Sequence, residues 1–194
     1  MSKGRLEAFS DGVLAILITI LVLELKLPHG EDWTALRAMA PIFCAYLMSF
    51  IFVGIYWNNH HHMLQMTKRI NGKILWANLH LLFWLSLVPF ATGWIGETHL
   101  APLPTACYGG VLLFSGIAYT ILQNLIVALQ GADSPLAAAI GGDFKGKASA
   151  VLYAAAIPLA FVRAWISAAI YVFVALMWLV PDRRIEARIA PGAE

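Results

Sequence analysis

Six long apolar runs, none alternating with polar residues, fill most of the chain: about Gly12 to Leu23, Ala38 to Trp57, Ile74 to Ile95, Ala106 to Val127, Ala148 to Val162 and Ala164 to Val180. A transmembrane barrel needs strict alternation, so its absence selects helices, which satisfy their own backbone polar groups in hydrocarbon. Only Arg163 separates the last two runs. Read as one, they make 33 residues, a helix of roughly 50 Å against a bilayer core of ~30 Å. A tight hairpin at Arg163 is therefore expected. The fold class that follows is an all-α membrane protein of six transmembrane helices, with residues 1–194 forming one domain and no room for a separate soluble unit. A composition of 60% hydrophobic and 12% charged residues agrees.

Lys and Arg near span ends are retained on the cytoplasmic side. With the N-terminus inside, Lys3, Arg5, Lys68, Arg69, Lys73, Lys145, Lys147, Arg183, Arg184 and Arg188 are cytoplasmic, and Lys26, Arg37 and Arg163 lie outside. Both termini are thus expected in the cytoplasm. The net charge of +2 reflects this loop bias and gives no reason to invoke nucleic acid. Lys3 and Arg5 before an apolar run imitate a signal peptide, but no small-residue cleavage site follows, so the segment reads as a retained helix.

The first run is unusual. Asp11 and Glu24 bracket only twelve residues, which rise roughly 18 Å, too short a helix to cross a bilayer with lipid on every side. Both carboxylates need shelter among protein or water. At 100° per residue, Arg5, Gly12, Ile16, Thr19 and Leu23 share one face with Ile20 at its edge, and Asp11 points away. Such a stripe serves either as a packing face or, around a symmetry axis, as successive apolar rings that make an ion shed water.

Arg5-x-x-x-Phe9-Ser10-Asp11-Gly12, followed by Ala15-Ile16 and Thr19-Ile20-x-Val22-Leu23-Glu24-Leu25, resembles the first-helix signature of the transmembrane protein 175 family, the lysosomal potassium channels and their bacterial relatives. Trp57-x-x-His60, Asn78-Leu79 and Pro89-Phe90 resemble that family's pattern in the next two spans. The second half agrees in helix count and hydropathy only. The resemblance implies a homotetramer in a bacterial-type plasma membrane, conducting potassium passively along a pore lined by the first helix of each subunit. It places the hydrophobic constriction at Ile16, with further layers at Thr19 or Ile20 and at Leu23. It also implies a network holding the pore helix, drawn from Arg5, Phe9, Ser10, Asp11, Trp57, His60 and Asn78, with an Arg to Asp pair. No cofactor is implied; the bilayer, other copies of the chain and permeant monovalent cations are the expected partners.

The remaining candidates carry less. Val53-Gly54-Ile55-Tyr56 imitates a carbonyl filter, but Phe52 stands where Thr is needed and the second Gly is missing. His60-His61-His62 offers imidazoles about 100° apart on a helix, which cannot converge on one ion. His61 and His62 read as interfacial or solvent-facing, and His80 as a hydrogen-bonded interior residue. Trp76, Trp84, Trp94, Trp165 and Trp178 suit an interfacial belt, and Arg163 and Glu97 suit snorkelling at outer span ends. Cys44 and Cys107 read as free thiols in apolar surroundings, and residues 130–147 as a solvated cytoplasmic connection. No nucleophile with its base, metal cluster or phosphate-binding loop is evident, so no enzyme is expected. The alternative function is a secondary or proton-coupled transporter in which Asp11 and His60 titrate.

Overall fold

The computed structural model describes residues 2–131 and 133–179, and all of their regular structure is helical. Arg183, Arg184 and Arg188, three of the charges used to orient the chain, lie outside the described residues. Helix α1 (Lys3–Leu23) is longer than its apolar run. It extends back through Asp11 and Ser10 to Lys3, and its 21 residues are enough to cross the ~30 Å core. The expectation of a short first helix is corrected on this point. Within that extension Ser10 is buried against protein, while Arg5 and Phe9 are exposed.

A short helix, α2 (Trp33–Ala38), is capped by Asp32, whose carboxylate accepts the Ala35 amide at 2.8 Å. Helix α3 (Ala40–Gln65) runs unbroken through residues 53–56, so the filter-like tetrapeptide is ordinary helix. Asn71 caps α4 (Gly72–Ser86) by accepting the Ile74 amide at 3.0 Å. A break at Leu87 then passes the chain to α5 (Val88–Glu97). Pro89 explains it, because its ring has no N–H for the Leu85 carbonyl and crowds that turn. Helix α6 (Pro102–Gln130) follows. The connection after it holds one more short helix, α7 (Pro135–Ile140), capped by Ser134.

Helix α8 (Phe144–Leu179) doubles back on itself. Arg163 leaves helical geometry at φ −153° and ψ 97°. Across that bend the Ser167 hydroxyl donates to the Ala156 carbonyl at 2.7 Å, and Trp178 Nε1 donates to Ser149 Oγ at 2.9 Å. In a continuous helix the second pair would stand about 44 Å apart. The two arms are therefore antiparallel, as the length of the apolar run requires. Among the described residues five units are long and apolar enough to cross a membrane: α1, α3, α4 with α5, α6, and α8 with its bend.

Between helices in lipid there is no hydrophobic drive to associate, so close packing and hydrogen bonds hold the bundle. One core joins α1, α3, α4 and α6 through Leu14, Leu17, Leu21, Val53, Leu81, Leu85 and Leu122. A second joins α3, α5, α6 and α8 around Phe52, Tyr108, Tyr153 and Tyr171. Within the second, the Ser49, Thr92 and Tyr108 hydroxyls form a buried chain with O···O distances of 2.6 and 2.8 Å. The Tyr171 hydroxyl donates to the Thr105 carbonyl at 2.9 Å.

Helices α3 and α5 touch where Gly96 leaves room. A Cβ there would stand 2.9 Å from the Ile42 Cα, a backbone atom that cannot swing aside. Gly96→Val is thus expected to push the two helices apart and cost about 1–3 kcal/mol, the range for overpacking. Unfolding of the detergent-solubilised protein, followed by circular dichroism, will register it; a stability equal to that of the parent would contradict this packing.

Candidate functional site

Helix α1 has two faces. Leu6, Ser10, Leu14, Leu17 and Leu21, at steps of three and four, are buried against α3, α4 and α5. Among the described residues, the opposite face is largely uncovered. Ile16 is 58% exposed, Ile20 37% and Leu23 75%, and Thr19 and Gly12 are open beside them. All four residues expected to form the constriction thus share the uncovered stripe. The Thr19 hydroxyl donates its one proton to the Ile16 carbonyl at 2.8 Å. Its lone pairs are left free to accept or to coordinate.

The buried face is fixed near its N-terminal end by a polar network. Asn78 of α4 donates from Nδ2 to Ser10 Oγ at 2.9 Å and accepts at Oδ1 from His60 Nε2 of α3 at 2.7 Å. All three side chains are buried. Because an amide oxygen only accepts, His60 carries its proton on Nε2, and its Nδ1 is left without a partner. Beside this network Trp57 Nε1 donates to Asp11 Oδ1 at 3.1 Å, and the Trp57 ring stacks on His61. Lys3 donates to the Gln65 carbonyl at the end of α3 at 3.1 Å and lies 3.5 Å from Glu7.

The other end of α1 is also held. The Glu24 carboxylate lies over Gly93 of α5, in space that any larger residue would take. Two residues on, Lys26 pairs with Glu97. That hydrogen bond and charge raise the Lys26 ammonium above its ordinary pKa. Glu97 is therefore a partner in an ion pair and not a lone snorkelling carboxylate.

Of the residues expected to anchor the helix, the structure brings together Ser10, Asn78 and His60, and separately Asp11 and Trp57. Arg5 and Phe9 are exposed and join neither group. The expected Arg5 to Asp11 pair is not formed within the subunit: the described ion pairs are Lys3 with Glu7 and Lys26 with Glu97. Six residues apart on one helix, Arg5 and Asp11 point about 120° away from each other. His80 is exposed and not interior; it accepts from Trp84 Nε1 at 2.9 Å. His62 is half-buried with an unpartnered Nδ1, so it is not simply solvent-facing. Trp84 stacks on Phe114 at 4.5 Å, and Trp178 donates to Ser149, so both also take part in helix packing. Among the described residues no group of three or more His, Cys, Asp or Glu is placed to hold a metal ion.

Sequence reasoning missed the Ser49, Thr92 and Tyr108 chain. The available signal was weak, since single hydroxyls in apolar runs often bond their own helix, as Thr92 does to Val88 at 2.7 Å.

Comparisons with known proteins bear on the same part of the chain. The model of the endosomal/lysosomal potassium channel TMEM175 family matches residues 5–89, which hold α1 and the network partners on α3 and α4. A potassium channel of Chryseobacterium sp. (strain P1-3) is 58% identical over 186 residues, covering 96% of this chain and 97% of that protein. The human endosomal/lysosomal proton channel TMEM175 is 38% identical over 96 residues, which is 43% of this chain but 19% of that much longer protein. Among solved structures, the crystal structure of a lysosomal potassium-selective channel TMEM175 homolog from Chamaesiphon minutus is similar with a TM-score of 0.80. It is 29% identical, and the match covers 94% of this chain and 97% of that one. Near-complete coverage at this identity leaves one conclusion: the chain belongs to the TMEM175 family.

Proposed function

We propose that this chain is a passive, potassium-permeable cation channel, built from four copies whose α1 helices line a central pore. Counting the two arms of α8 separately, each subunit crosses the membrane six times, as a single domain with both termini in the cytoplasm of a bacterial-type cell. The carrying observation is the division of α1: one face packed and hydrogen-bonded, the other an uncovered stripe of Ile16, Thr19, Ile20 and Leu23. The names of the relatives, potassium channels and a proton channel, support cation permeation as the chemistry of such a helix.

In this reading four Ile16 side chains narrow the path, with Ile20 and Leu23 about 6 and 10 Å further along. A cation loses part of its hydration shell at each apolar ring. Thr19 offsets that loss. Its proton is held by the Ile16 carbonyl, so its oxygen turns lone pairs outward, toward a cation. The Ser10, Asn78 and His60 network and the Asp11 to Trp57 bond hold the angle of α1, and so the width of the ring.

The test joins mass with flux. Light scattering in detergent is expected to give four times the mass of the chain. Vesicles carrying the protein are expected to pass potassium at a rate that rises with driving force without saturating. A monomer offers no axis for the pore. Saturating exchange coupled to protons would favour a carrier using Asp11 and His60.

A further inference from the structure

A cavity of about 460 Å³ lies within the subunit between α3, α6 and α8, and no residue of α1 lines it. Its size falls within the ~300–1,000 Å³ range of pockets that hold small ligands. Its walls are mainly apolar, with Phe52, Leu113 and Tyr153 among them. Gln123 and Tyr56 line it. Neither the Gln123 amide nor the Tyr56 hydroxyl has a hydrogen-bond partner among the described residues, which leaves both free to bond what enters the cavity.

The mouth has a different chemistry. It is formed by the turn at residues 141–143 and the first turn of α8. Asp143 Oδ1 accepts the Gly146 amide at 3.2 Å, so its carboxylate is engaged in capping α8. Burial raises the Asp143 carboxyl above the usual carboxylate range, opposed by the Gly146 bond and by the nearby Lys147 charge. Lys147 donates to the Gly142 carbonyl at 2.9 Å, has two further protons and remains exposed. The mouth thus holds one carboxylate and one ammonium; the carboxylate caps α8, and the spare Lys147 protons are what an anionic group can meet above an apolar interior.

We infer that this cavity binds an amphiphile, one long alkyl chain inside and an anionic head at Lys147. The head is a carboxylate or a phosphate, supplied by a free long-chain acid or by an anionic phospholipid of the adjoining leaflet. This site stands whether or not α1 lines a pore.

Photolabelling of the full chain in nanodiscs tests it. The probes are phosphatidylglycerol with a diazirine on its acyl chain, phosphatidylcholine with the same chain, and a diazirine-bearing palmitate. Mass spectrometry is expected to find label on residues 52–59 and 113–124 from phosphatidylglycerol or palmitate, and the stronger of the two identifies the source. Gly116 lines the cavity, where a Cβ would meet only the Tyr56 hydroxyl, at 3.7 Å. Gly116→Leu should fill the space and cut cavity labelling at least about tenfold, with labelling of the exposed Phe90 and Phe173 unchanged. Should that variant fail to fold, Gln123→Leu, which removes only the unpaired amide, is expected to cut it about threefold. Label confined to the lipid-facing surface, equal label from phosphatidylcholine, or cavity label indifferent to the folded variant would overturn the proposal.

Discussion

Replacing Ile16 with Asn is expected to raise cation flux through reconstituted vesicles roughly tenfold and to remove most of the preference between potassium and sodium. A factor of ten is ~1.4 kcal/mol off the barrier, a modest fraction of what partial dehydration at an apolar ring imposes. Four amide groups at the ring would replace the lost water. Ile16→Val keeps the ring apolar and should preserve the preference, with a smaller rise in flux from the missing methyl. Leu14→Ala separates this effect from general damage. Leu14 is fully buried two residues away on the packed face, so its truncation should cost about 2–5 kcal/mol of stability and leave the ion preference of folded channels unchanged. The checking measurement is vesicle flux in potassium and in sodium, normalised to folded protein. If Ile16→Asn matched the parent in both, while Leu14→Ala altered preference, the exposed and buried faces would have exchanged roles and the pore assignment would fall.

The chain's topology could be read from lengths because the bilayer supplies a ruler. The bend at Arg163 follows from an apolar run too long for one crossing, and the Ser167 to Ala156 bond lies where that argument places the reversal. Hydropathy served worse for deciding which way a helix faces. On α1, Leu14, Leu17 and Leu21 are buried while Ile16, Ile20 and Leu23 are not, yet all six are equally apolar. Lipid is as apolar as a protein core, so composition carries no inside and outside. What picked out the stripe was the resemblance, together with the wheel that groups Gly12, Ile16, Thr19 and Leu23.

Polar residues were the readable marks, though only in part. Ser10, His60 and Asn78 stood out in apolar context and do meet. Arg5 stood out equally and does not reach Asp11, since their angular separation on one helix outweighs their closeness in sequence. Short helix α7 had no periodic signal, only the local Ser134-Pro135 start that caps it. The cavity beside it arises from how α3, α6 and α8 pack, which depends on tertiary contacts far apart in the chain.

The largest loss of stability is expected from Asn78→Leu, a change of similar volume at a fully buried position. It strands the His60 Nε2–H and the Ser10 hydroxyl together, both buried, and each orphaned group costs about 1–3 kcal/mol. Together the two give a total of ~2–6 kcal/mol. Trp57→Phe gives the comparison. It removes the bond to Asp11, but Trp57 is exposed and water or lipid headgroups can replace the lost donor; its effect should stay below about 1 kcal/mol. The network predicts a further, less obvious result. In the Asn78→Leu background, Ser10→Ala removes one of the stranded groups, so the double variant should regain roughly 1 kcal/mol over Asn78→Leu alone, although Ser10→Ala by itself destabilises the parent. A thermodynamic cycle on unfolding in mixed micelles reads this directly. Strict additivity of the two changes would mean that Asn78 does not join α1 to α3 through a shared network, and that the tilt of α1 is set by packing of Leu14, Leu17 and Leu21 alone.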